Sequence, residues 1–144
     1  MPRHPLAAIA VVFATLIIAS PATAQPPDDA GRVAIRTTIL GQIDAFRQDD
    51  GEQAFSFASG TIREMFATPD RFMAMVRIRY PQVYRPRDIA FGRLIEAGES
   101  LLQEVFVIGP GGKTWVAAYE VVEMDDAWLI NGVLVIPDRK AEPI

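Results

Sequence analysis

Residues 113–136 read KTWVAAYEVVEMDDAWLINGVLVI, and the fold is decided here. Trp115, Ala117, Tyr119 and Val121 alternate with Val116, Ala118, Glu120 and Val122, the period of two that puts successive side chains on opposite faces of a strand. Asp125-Asp126 interrupts the run and a second apolar stretch follows at 127–136, so the two pair as a hairpin across a tight turn. Working outward, Pro110-Gly111-Gly112 follows a run at 100–108, and Ala97-Gly98-Glu99 separates that from another at 88–96. Connections this short make consecutive antiparallel strands, a four-stranded meander with one face buried by whatever precedes it. The residues from Asp138 to Ile144 read as a loose tail.

What precedes it has a helical period. Ile35, Ile39, Ile43 and Phe46 recur at spacings of four, four and three, one stripe of a helix over 31–48. Asp49-Asp50-Gly51 interrupts it, and Asp50 with Gln53 three residues on marks the start of a short helix over 52–58. A further helical turn surrounds Ile62 and Phe66. Thr68-Pro69 then opens another helix, because proline at the first helical position gives up a donor that would be unused there. Pro81 ends it, and Pro86 predicts an extended or looped 81–87. Helices followed by a meander is an α+β layout, one domain over 31–137.

The first 24 residues follow the plan of a cleavable signal peptide. Arg3 precedes an apolar run from Leu6 to Ala19, then Ser20-Pro21 and the small triplet Ala22-Thr23-Ala24. Fourteen residues fall short of the ~20 that a membrane span requires, so cleavage after Ala24 and a periplasmic or secreted domain with no stable membrane span are expected. Residues 25–30 read as a flexible leader. The chain holds 18 acidic against 14 basic residues, a formal net charge of −4, which disfavours general nucleic-acid binding. It has no cysteine, and its one histidine, His4, lies in the signal segment. Disulfides, thiol nucleophiles, histidine triads and ordinary zinc sites are thereby excluded, and no cofactor or metal is expected. Asp49-Asp50-Gly51-Glu52 lacks the alternating oxygen spacing of a calcium loop and reads as a turn and cap.

Ala45-Phe46-x-x-Asp49-Asp50, Ala54-Phe55-x-x-Ala58-Ser59, Met65-Phe66-x-Thr68-Pro69-x-x-Phe72-x-x-Met75-Val76 and Tyr80-Pro81-x-Val83-Tyr84-Arg85-Pro86 resemble, in order and spacing, a family of exported proteobacterial proteins known as domain of unknown function 4864. The resemblance spans about 33–136 and implies no activity. The element order also resembles the cone-shaped fold of nuclear transport factor two and ketosteroid isomerase, in which sheet and helices enclose a pocket. This chain departs from that pattern in its compact helical region.

Three functional readings follow. Tyr80, Tyr84, Arg85 and Arg87 sit on or beside a proline-stiffened connection between helix and sheet, and such loops carry recognition; they are the expected contact surface of a non-enzymatic module for a small molecule or an envelope protein. Met65, Phe72, Met75, Trp115, Tyr119 and Trp128 are the expected lining of an apolar pocket, as alternative to plain core. A second reading is an isomerase- or cyclase-like enzyme that uses Asp44 or Asp88 with a tyrosine donor, chemistry that requires neither histidine nor cysteine. The third is a homodimer through the sheet face, because residues 113–124 are apolar on both sides. Arg71, Arg77, Arg79, Arg85, Arg87 and Arg93 cluster with one acid, Asp88, among them; they read either as an anion-binding face or as side chains paired with the protein's own acids.

Overall fold

The structure, a computed structural model, describes residues 26–141. The expected signal peptide and its cleavage site lie outside the described residues. Five helices come first: α1 (Asp29–Arg47), α2 (Gly51–Ser56), α3 (Gly60–Phe66), α4 (Pro69–Arg79) and α5 (Pro81–Tyr84). Four strands follow: β1 (Asp88–Ala97), β2 (Ser100–Ile108), β3 (Thr114–Met124) and β4 (Ala127–Pro137). They form one antiparallel sheet in the order β1-β2-β3-β4, the expected α+β meander. Among the described residues no helix is long and apolar enough to cross a membrane.

The helix boundaries follow from side chains that satisfy otherwise unpaired amides. Asp28 accepts from the Gly31 amide at 2.8 Å, so α1 starts two residues before Gly31 and the end of the expected leader is its cap. Asp50 accepts from Gln53 N at 3.1 Å and Thr68 Oγ1 from Arg71 N at 3.3 Å, the two starts expected from sequence. The loop expected over 81–87 is instead the single turn α5. Pro81 occupies its first position, where a missing N–H costs nothing, and Pro86 falls beyond its end. The tail likewise closes with a 3₁₀ turn at Arg139–Ala141.

The sheet buries the face that its alternation assigns inward. Ile35, Ile39 and Ile43 of α1 are wholly buried with Val105, Val107, Ala117, Tyr119, Val121 and Ile130 in one apolar cluster. Each such side chain contributes roughly 1.5–3 kcal/mol on burial. A second cluster is made by helices alone: Phe46 of α1, Ala54 and Phe55 of α2, and Phe72, Met73 and Val76 of α4. The free edge of β4 is partly covered. Ile130 N donates to Phe57 O at 2.9 Å and Ser59 N to Ile130 O at 2.8 Å, so the α2–α3 connection pairs with the strand as a short parallel bridge. That bridge ties α3 to the sheet although α3 itself buries no residue completely.

Candidate functional site

Between the two clusters lies a cavity of about 450 Å³, within the ~300–1,000 Å³ of ordinary small-molecule sites. Phe46, Phe72 and Val76 face it from the helical cluster, and Tyr119, Ile130 and Val83 from the sheet cluster. Ile62, Met65 and Phe66 of α3 form the outer wall, and Met75, Arg79 and Tyr80 the α4 side. Gly132 and Val133 complete the β4 side. The cavity exists because α3 is only seven residues long and leans on its neighbours through half-buried Ile62 and Phe66. Met65, 67% exposed, stands at the mouth with the exposed Arg79.

Polar groups in this cavity are few and distinct. Tyr119 is 1% exposed, and its hydroxyl has no hydrogen-bond partner. Burial pushes the phenol well above its ordinary range, which keeps it protonated and a donor. A buried hydroxyl left unpaired costs about 1–3 kcal/mol. Gln42, also lining, is 3% exposed and donates its Nε2 to Ala54 O at 3.2 Å, which anchors α1 to α2. Arg79 makes no ion pair among the described residues, and no carboxylate lines the cavity.

The family described as Domain of unknown function (DUF4864) matches residues 28–143. The chain belongs to that family. The match covers every helix and strand of the DUF4864 domain, hence both apolar clusters and the cavity between them. No curated protein and no solved structure matches this chain, so the cone-fold resemblance has no solved relative behind it.

Within the DUF4864 domain the residues singled out from sequence separate into three groups. Met65, Phe72, Met75, Tyr119 and Tyr80 do meet in the cavity. Trp115 and Trp128 do not; they stand near opposite ends of the inner sheet face and pack half-buried against the α1 cluster. Tyr84 and Arg85 face away from the cavity and are engaged within the chain. Both donate to Asp49 Oδ1, with Arg85 Nη2 at 2.9 Å, and Arg85 Nη1 also donates to the Phe46 carbonyl. Arg77 donates to the Tyr84 hydroxyl at 3.0 Å, and the Arg85 guanidinium lies 4.2 Å over the Tyr84 ring. Asp49, held at φ 53, closes the end of α1 and gathers these groups into a clamp between α1, α4 and α5. Arg87 is exposed, and its amide donates to Ile108 O at 2.8 Å, which fixes the entry to β1.

The carboxylates weighed for catalysis stand elsewhere. Asp44 is exposed and pairs with Arg47 at 3.3 Å; Asp88 is exposed and accepts from the Ile89 amide at 2.9 Å. Neither lines the cavity. Of the clustered arginines, Arg77 and Arg85 meet Asp49 and Arg93 meets Glu104 at 2.7 Å. Sequence reading missed Gln42, Ile62, Arg79 and Val133. An i, i+3 and i+4 tally around Phe72 and Met75 would have brought in Arg79, but nothing local marks a cavity wall made from β4.

Proposed function

We propose that this domain is a non-enzymatic binding module of the cell envelope or exterior, exported by residues 1–24, that holds a small apolar molecule bearing a hydrogen-bond acceptor. The observation that carries the reading is a cavity of about 450 Å³ between the two clusters, mostly apolar in its lining, with the unpartnered Tyr119 side chain in its wall. A turn of the Tyr119 side chain brings its hydroxyl to the acceptor, and the apolar body fills the space between Phe72, Val76 and Val133. Met65 and Met75 are unbranched and polarizable, so the mouth adapts to ligands of differing outline. A lining without carboxylate, histidine or cysteine supports a container over a catalyst, since the carboxylate base that such an isomerase places against its substrate is not among the lining residues.

The test is titration with 1-anilinonaphthalene-8-sulfonate, a fluorescent apolar anion, beside mass spectrometry of organic extracts of the purified protein. One saturable site is expected, with affinity reduced roughly tenfold or more when Met75→Trp fills the cavity. Tyr119→Phe lowers the affinity for extracted, acceptor-bearing ligand by ~3- to 10-fold, the weight of one hydrogen bond. Saturable binding that Met75→Trp leaves intact places the ligand elsewhere and ends this reading. Amino-terminal sequencing of the exported protein, expected to begin at Gln25, checks the compartment separately.

A further inference from the structure

The sheet face turned away from the helices is apolar across all four strands. Ala90, Phe106, Val116 and Ile136 are register partners in one row from β1 to β4. Among the described residues, five of the nine exposed large hydrophobic side chains, Phe106, Ile108, Met124, Leu134 and Ile136, belong to this face. Three carboxylates stand on it: Asp88, register partner of Ile108, accepts from the Ile89 amide at 2.9 Å at its end, and Glu104 and Glu120 lie further in. Glu104 meets Arg93 at 2.7 Å, and Glu120 accepts from Ser100 Oγ at 2.8 Å and Asn131 Nδ2 at 3.3 Å. Covering the face therefore leaves Glu104 and Glu120 paired. The Phe106 ring lies over Gly92, where a Cβ would come within 2.8 Å of it, so the face is smooth across β1 and β2.

Charge along the strands is polarised. At one end stand Arg87, Lys113, Arg139 and Lys140 with two acids, Asp88 and Asp138. At the other stand Glu96, Glu99, Glu123, Asp125 and Asp126, with no base on those strand ends or turns. A surface with both signs at opposite ends complements itself when a second copy is laid on it in reverse. We infer that two copies of this chain stack outer sheet face on outer sheet face, with strands antiparallel, so that the basic end of each covers the acidic end of the other.

The size agrees. Four strands about 4.8 Å apart and about ten residues long at 3.4 Å each give a face on the order of 600 Å² in projection, close to the ~800 Å² that each partner contributes to a specific interface. A twofold axis in the interface, perpendicular to the strands, lays β3 on its own counterpart and brings Thr114 of one copy near Met124 of the other. The cavity lies on the opposite side of the sheet, so the dimer stands or falls apart from ligand binding.

Sedimentation equilibrium of the purified protein at low salt is expected to give the dimer mass, with weaker association in about 0.5 M salt, where the end charges are screened. Leu134→Arg, at a side chain already 64% exposed, is expected to raise the dissociation constant roughly tenfold or more. Its circular dichroism and dye binding should match the wild type. Since the chain has no cysteine, Thr114→Cys and Met124→Cys can be mixed and treated with a short bismaleimide; crosslinks between the two variants are expected to exceed those within either. A monomer at millimolar concentration, a dimer indifferent to Leu134→Arg, or crosslinks mainly between like variants would each overturn the inference.

Discussion

Tyr119 combines a large apolar ring with a hydroxyl that finds no partner, and the combination has a pH signature. Its folded pKa lies above the ordinary value of 10.0 because burial disfavours the phenolate. The folded state therefore keeps a proton that the unfolded chain releases near pH 10, and the associated stability is complete below that pH and declines above it. Urea unfolding of wild type and Tyr119→Phe is expected to differ by a constant amount, within ~1 kcal/mol, from about pH 7 to 9. Above about pH 10 wild type loses more stability than the variant; parallel curves up to about pH 11 would refute the assignment. The Asp49 clamp is tested by Asp49→Asn, which tolerates the left-handed backbone equally and removes only the charge. Its side chain is 55% exposed, so the expected cost is about 0.5–1 kcal/mol, shrinking in high salt; a salt-independent loss would point to backbone strain instead. The sequence marked Tyr84 and Arg85 as unusual because of the prolines around them. It did not reveal that their partner lies 35 and 36 residues upstream, a pairing with no local pattern.

At the scale of elements, legibility followed the reach of the signal. Strand alternation and helix caps act over two to four residues, and the four strands and the starts of α2 and α4 appear where those patterns place them. In sequence Pro81 and Pro86 both read as helix breakers and hide α5, whereas Pro81 opens the turn and Pro86 follows it. The tryptophans were misplaced for a different reason: periodicity assigns a face, not a position along it, and Trp115 and Trp128 sit beyond the cavity on the correct face. The join between α3 and α4 was also illegible. Ala67 has φ 64 and ψ −37, with Thr68 N bonded to Phe66 O at 2.8 Å, a γ-turn with positive φ. That conformation is strained for alanine. Ala67→Gly relieves about 1–3 kcal/mol of strain against about 0.4–1 kcal/mol of added unfolded-chain entropy. A net gain of about 1 kcal/mol in urea unfolding is expected, and a loss would mean that the γ-turn does not form.

Taken whole, the molecule has two apolar clusters that share a cavity in place of a continuous core, and this division governs how it opens. The sheet cluster holds its deepest residues, Ile35, Ile39, Ile43, Val105 and Val107, at 0% exposure. The helical cluster is closed on its outer side by α3, which buries nothing completely. Opening of α3 and α4 therefore exposes less apolar surface than separation of α1 from the sheet, and it costs correspondingly less free energy. Native-state hydrogen exchange is expected to show faster exchange for α3 and α4 amides than for β2 and β3. A ligand that bridges both clusters is released by that partial opening and by global unfolding alike, so it adds its binding free energy to both. Saturation with the naphthalene sulfonate is accordingly expected to slow exchange in α3 and α4 and, by the same factor, in amides that exchange only through global unfolding, while openings that leave the cavity intact are unchanged. If all amides exchanged with one common free energy, the two clusters would form a single cooperative unit and the cavity would not divide them. If the dye instead protected β2 and β3 while α3 and α4 were unaffected, it would be bound on the outer sheet face, against the placement of the ligand between the clusters.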